Sequence, residues 1–127
     1  MTKVDSIIKK IEKHFGFLQD NGFIKSNVEY SPQFFGNWVV EFKSQDCFIY
    51  ITNDRNEIIL EIAPAKKPKI DNRVSLEKEI YILSNGEVII EPFKGNFAWG
   101  EQKQLDRLSK LLEEYIIQIR EHYKDTN

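Results

Sequence analysis

Hydrophobic and polar residues alternate from Trp38 to Ala63, and this alternation predicts three short β-strands joined by two tight turns. The residues that share the apolar face are Trp38, Val40, Phe42, Cys47, Ile49, Ile51, Ile58, Leu60 and Ile62. A shift of one residue would mix the two faces, so the parity of the pairing is strongly specified. We expect this meander to form the centre of the fold.

Two turns set the register of the predicted meander. With turn tips at residues 44–45 and 55–56, Val40 pairs with Ile49, and Ile51 pairs with Leu60. Neither turn has the favoured Asn-Gly sequence, so longer loops of the same parity are the alternative.

The opposite face of the meander is mixed in character. It carries Val39, Glu41, Lys43, Phe48, Tyr50, Thr52, Ile59 and Glu61. In the predicted register Tyr50 lies between Val39 and Glu61. Such neighbours ordinarily stabilise a sheet, but aromatic residues ringed by carboxylates also suit a protein partner. The residues that we predict to bind a partner are Glu41, Phe48, Tyr50, Asp54, Arg55, Glu57 and Glu61.

Helical periodicity at both ends of the chain predicts two amphipathic helices. The first runs from Val4 to Leu18, is capped by Thr2 and stops at residues 21–22. The last carries an apolar stripe from Leu105 to Ile119. We therefore predict one α+β domain spanning residues 1–127. It is an antiparallel β-sheet of three to five strands with the N- and C-terminal helices packed on one face.

Two intermediate segments complete the prediction. Residues 23–30 form a weaker, edge-strand candidate that ends before Pro32. Residues 75–91 fit either a β-hairpin turning at residues 85–86 or a helix capped by Ser75. We favour a short helix over residues 76–84 followed by a strand over residues 88–90, because the charged run at 77–79 breaks strand alternation.

Composition narrows the classes of function. The chain has 127 residues, 41% hydrophobic and 30% charged, with a net charge of −2, which gives no general drive toward nucleic acid. The single cysteine excludes an intrachain disulfide. We find no signal peptide and no run as long as a membrane span, so we expect a cytoplasmic protein without a membrane partner.

No catalytic constellation stands out in the sequence. His14 and His122 lie near opposite ends of the chain, without other ligands at metal-binding spacing. Six scattered glycines form no phosphate loop. Glu41 and Glu61 could form an acid/base pair, but an open sheet surface lacks the enclosing pocket that shifts carboxylate pKa values. We therefore predict a non-enzyme with no catalytic residue, metal or cofactor.

The run FIYITNDRNEIILEIAP at residues 48–64, with the helices that follow, resembles small bacterial immunity proteins encoded beside polymorphic or contact-dependent toxins. The Asp54-Arg55 turn carries the resemblance, although Asn56 stands where glycine would be expected. Such families share no fixed functional residues, so none is transferred here. The resemblance implies a non-catalytic protein-binding module that neutralises a cognate toxin domain.

Two alternatives remain open from the sequence. One is a small-ligand-binding domain or minor enzyme, with a pocket between the sheet and the loop at residues 93–99. The other is a homodimer formed through Phe48, Tyr50 and Ile59.

Overall fold

The computed structural model describes residues 2–91 and 100–126, with the side chains of 125 and 126 excepted. It contains a five-stranded antiparallel sheet in the order β1-β2-β3-β4-β5. The strands are β1 (Ile24–Ser31), β2 (Asn37–Lys43), β3 (Cys47–Asp54), β4 (Glu57–Pro64) and β5 (Val74–Ser75). The helices are α1 (Lys3–Phe15), α2 (Phe17–Asp20), α3 (Leu76–Leu83) and α4 (Glu101–Thr126), with a 3-10 turn at Ile70–Asn72. The predicted α+β class is confirmed.

Helix α1 begins at a capping box. The hydroxyl of Thr2 accepts the N–H of Asp5 at 3.1 Å, and the carboxylate of Asp5 accepts the N–H of Thr2 at 3.2 Å. These two bonds satisfy donors that the helix itself leaves unpaired. After Gly16 the chain continues as α2 and stops at Asn21, followed by Gly22 at φ +85°. The predicted cap and the predicted stop are confirmed, but the stretch forms two helices that meet at Gly16, where one helix was predicted.

The apolar face of the sheet forms one core with the helices. Ile49, Ile51, Leu60 and Ile62 of the central strands are fully buried, as the alternation predicts. The helices contribute Ile7, Ile11, Phe15, Leu18, Leu76, Ile80, Leu105, Leu108, Leu112, Ile116, Ile119 and Tyr123 to the same cluster. Burial of this apolar area is the main stabilising contribution to the fold.

The second predicted turn is correct. Ile51 pairs with Leu60, and the tip lies at Arg55 and Asn56 with φ of 53° and 70°. Two successive residues at positive φ match a type I′ turn, whose twist suits the flanking strands.

The first predicted turn is wrong by one residue, although its parity holds. Val40 pairs with Ile51 rather than Ile49, so the tip falls at residues 45–46. The cause lies in Ser44, whose hydroxyl accepts the N–H of Cys47 at 3.1 Å and closes the turn one residue later than predicted. As a consequence, Tyr50 lies between Glu41 and Glu61 rather than beside Val39.

The predicted strand at residues 88–90 is also wrong. That segment has no strand structure, and the edge of β4 is occupied by Val74–Ser75. Asn85 and Gly86, at φ of 54° and 82°, end α3 instead of turning a hairpin. The N–H of Gly86 donates to the carbonyl of Tyr81 at 2.8 Å, which satisfies a carbonyl of the last helical turn. The favoured helix, capped by Ser75, is confirmed.

Within the described ranges, no helix is both long enough and apolar enough to cross a membrane.

Candidate partner-binding surface

Two turns lie side by side at one end of the sheet, and Asn37 joins them. Its side-chain oxygen accepts the backbone N–H of Arg55 at 2.9 Å, while its amide nitrogen donates to Asp54 at 3.2 Å. The turn between β1 and β2 therefore holds the turn between β3 and β4 in place. Five of the exposed residues at these turns make up what we call the turn-end surface: Phe34, Phe35, Asp54, Arg55 and Glu57.

Two adjacent phenylalanines dominate the turn-end surface. Phe34 and Phe35 are 59% and 74% exposed, so neither contributes much to the core. Phe35 has φ of 60°, a conformation that costs energy in a bulky residue. The guanidinium of Arg55 lies over the Phe35 ring, 4.6 Å from its centroid. Exposed aromatic side chains in a strained turn are typical of a surface that functions in binding.

Helix α4 supports the turn-end surface from beneath. The buried side chain of Gln104 accepts the N–H of Ile58 at 2.8 Å and donates to the carbonyl of Asn56 at 2.7 Å. The buried Asn53 accepts the N–H of Asn56 at 2.9 Å and donates to Glu101 at 2.6 Å. These bonds fix the backbone of the second turn, so little entropy remains to be lost when a partner binds.

A small acidic cleft of about 280 Å³ adjoins this surface on the outer face of the sheet. Glu29 and Asp54 line it together with polar groups, and no lysine or arginine lies among the lining residues described, although Arg55 lies 4.0 Å from the Asp54 carboxylate. Such a cleft suits a basic side chain, because a carboxylate binds an ammonium or guanidinium through charge-assisted hydrogen bonds.

The centre of the outer face is covered rather than open. Tyr50 is only 3% exposed, and the guanidinium of Arg73 lies 3.6 Å from its ring centroid. The Tyr50 hydroxyl donates to the carbonyl of Pro68 at 3.4 Å. Burial raises the pKa of Tyr50, and the charge of Arg73 opposes that rise. In this arrangement Tyr50 is not available to a partner, whether a toxin domain or a second copy of the chain.

The predicted partner-binding set therefore divides in two. Asp54, Arg55 and Glu57 are exposed and lie together on the turn-end surface. Glu41, Phe48 and Glu61 are half-buried around the covered Tyr50, and the Glu41 carboxylate accepts a hydrogen bond from Ser26 at 2.7 Å. Sequence reasoning missed Phe34, Phe35 and Asn37. Two adjacent aromatic residues between Pro32 and Gly36, within a turn, were the available signal.

The histidines lie away from this surface and join helices. His14 of α1 lies 3.0 Å from Asp106 of α4, and His122 of α4 lies 2.6 Å from Glu79 of α3. Over residues 2–91 and 100–126, no group of three or more potential ligands could hold a metal ion. The loop of the alternative pocket, residues 93–99, lies outside the described residues.

Comparison of the chain with protein-family models, curated proteins and solved structures finds no match in any of the three. The resemblance to immunity proteins therefore stays a prediction.

Proposed function

We propose that this chain is a non-catalytic protein-binding module that uses the turn-end surface to hold a partner protein. The observation that carries the proposal is the pair Phe34 and Phe35, exposed in a turn that Asn37 and Arg55 hold rigid. Exposed aromatic anchors on a preorganised backbone are the features that dominate protein interfaces.

Charge indicates the kind of partner. Asp54 and Glu57 belong to the same surface as the aromatic pair, and the cleft beside it carries Glu29. Arg55 lies 4.0 Å from Asp54 and offsets part of this negative charge. A partner with an apolar pocket bordered by lysine or arginine would complement both features. Toxins that act on nucleic acid often carry such basic surfaces. We therefore propose that the chain is an immunity protein. It would neutralise its toxin in the cytoplasm by forming a one-to-one complex that covers part of the toxin's surface.

The test is co-purification with the product of the neighbouring gene, scored by a one-to-one complex on gel filtration. The double variant Phe34→Ser/Phe35→Ser should lose the complex. Ile117→Ser is the matched control, because Ile117 is 68% exposed on α4 and lies outside the turn-end surface. A complex that survives the double variant would exclude this surface. A monomeric peak for the unmodified protein would count against a toxin-binding function.

A further inference from the structure

A second cleft of about 590 Å³ lies between the β4–β5 connection, the start of α3 and the end of α4. Four basic residues line it, Lys66, Lys67, Arg73 and Lys78, against the single carboxylate of Asp71. This is a concentrated positive charge on a chain whose net charge is −2. Concave sites lined by one sign of charge focus the field and attract ions of the opposite sign.

Three of the four basic residues of this cleft have no carboxylate partner among the described residues. These three are Lys67, Arg73 and Lys78. Like charges held together repel. A bound anion would relieve this repulsion.

The cleft is built before any ligand arrives. The side-chain amide of Asn72 donates to the carbonyl of Lys67 at 3.0 Å, and the N–H of Arg73 donates to the carbonyl of Ile70 at 3.1 Å. Pro68 further restricts the backbone of this connection. The guanidinium of Arg73 is fixed in position by its contact with the ring of Tyr50. Because the backbone of this connection is held by hydrogen bonds and by Pro68, its lysines lose less conformational entropy on binding than lysines on a flexible tail would.

Helix α3 adds a further positive contribution. The helix begins at Leu76, and in the sequence Leu76 stands between Val74 and Lys78, which both line the cleft. The positive end of the helix dipole therefore lies at the cleft wall. Ser75 caps this end by accepting the N–H of Lys78 at 3.2 Å. A helix start beside lysine and arginine side chains is a combination that favours phosphate.

We infer that the basic cleft binds the phosphate group of a small phosphorylated molecule. The volume falls within the range of small-molecule sites. A nucleic acid would need a more extended basic surface than one cleft provides. The cleft lies at the Pro64 end of β4, whereas the turn-end surface lies at the Glu57 end. The site is therefore separate from the proposed protein interface and does not depend on it.

The test is isothermal titration at fixed ionic strength with inorganic phosphate, pyrophosphate and AMP. We expect saturable one-to-one binding, with pyrophosphate tighter than phosphate. The variant Lys67→Gln/Lys78→Gln should weaken binding about tenfold or more, because it removes two charge-assisted contacts. Lys9→Gln/Lys13→Gln removes the same charge from the exposed face of α1 and should leave the affinity within about twofold.

Two results would overturn the inference. One is equal weakening by both double variants, which would indicate only a general electrostatic effect. The other is no saturable binding of any of the three compounds, including the case in which an acidic peptide binds instead. Tighter binding of AMP than of phosphate would support an organic phosphate as the ligand. Phe34→Ser/Phe35→Ser should keep phosphate binding, which separates this test from that of the protein interface.

Discussion

The side chain of Asn37, the first residue of β2, accepts the backbone N–H of Arg55 at 2.9 Å, although 18 positions separate the two residues. Arg55 in turn lies over the ring of Phe35, two residues before Asn37. The side-chain amide of Asn37 thus couples the conformations of the two turns. Through Arg55 it also helps to position the ring of Phe35 on the turn-end surface. Its bond to Asp54 fixes a carboxylate at the same place.

Replacing Asn37 by alanine should loosen both turns. We expect Asn37→Ala to lower the free energy of unfolding by about 1–2 kcal/mol, because two hydrogen bonds are lost. Urea denaturation measures this change, and partner affinity should fall with it. The control is Asn27→Ala, since Asn27 is exposed and its only described side-chain bond is to the nearby Glu29 at 3.3 Å. Equal stability of the two variants would show that Asn37 does not join the turns.

Local pattern was sufficient to predict most of the fold. The alternation around Ile49 and Ile51 fixes which face is buried, because a strand has a period of two and a core can form on only one side. Thr2 and Ser75 identify helix starts because capping is a contact between near neighbours. Ser44 shifted the first turn by one residue, but the same strand residues still face the core. The residues of the meander that face the core were therefore predicted correctly.

The candidate sites depended on contacts that the sequence pattern does not contain. Strand alternation places Tyr50 on the outer face, but it does not show that Arg73, 23 residues later in the chain, crosses that face and covers it. The basic cleft arises in the same way, because a connection brings Lys67 beside Lys78 of α3. Such placements depend on the path of a loop, which hydrophobic periodicity does not determine.

Gly86 should tolerate substitution poorly. It has φ of +82°, and an added Cβ would meet the Tyr81 hydroxyl at 3.2 Å and its ring carbon at 3.3 Å. Gly86→Ala should therefore lower the free energy of unfolding by about 1–2 kcal/mol. Gly100 is the matched control, because an added Cβ there has no heavy atom within 4 Å and its φ is not in the left-handed region. Thermal unfolding of both variants checks the prediction, and a Gly86→Ala protein as stable as Gly100→Ala would contradict it.

The buried carboxylate of Glu79 should be important for joining α3 to α4. It is fully buried, lies 2.6 Å from Nδ1 of His122 and accepts the hydroxyl of Tyr123 at 3.1 Å. Burial and the charge of Glu79 raise the pKa of Tyr123, so its hydroxyl stays protonated and continues to donate. We expect Glu79→Ala to cost about 3 kcal/mol, because both partners lose their acceptor.

Glu79→Gln should cost less than Glu79→Ala, since an amide oxygen still accepts one bond. The control is Glu113→Ala on the exposed surface of α4, which should change stability by at most about 0.5 kcal/mol. Urea denaturation of the three variants gives the ranking. A Glu79→Ala protein that unfolds like Glu113→Ala would mean that the cluster contributes nothing to joining the helices.

Cys47 should make the protein less stable at alkaline pH. Its side chain is fully buried, and desolvation, with smaller contributions from Asp46 and Glu79, raises the thiol pKa from 9.0 to about 12. The folded state therefore keeps the proton where the unfolded chain releases it. This contribution to stability is fully present below pH 9.0 and is lost as the pH rises toward about 12, by up to about 1.4 kcal/mol per pH unit. Urea unfolding at pH 8, 9, 10 and 11 should show that the free energy of unfolding falls more steeply with pH for the native chain than for Cys47→Ala, which lacks the thiol. Parallel pH profiles of the two proteins would show that the thiol does not stay protonated in the folded state.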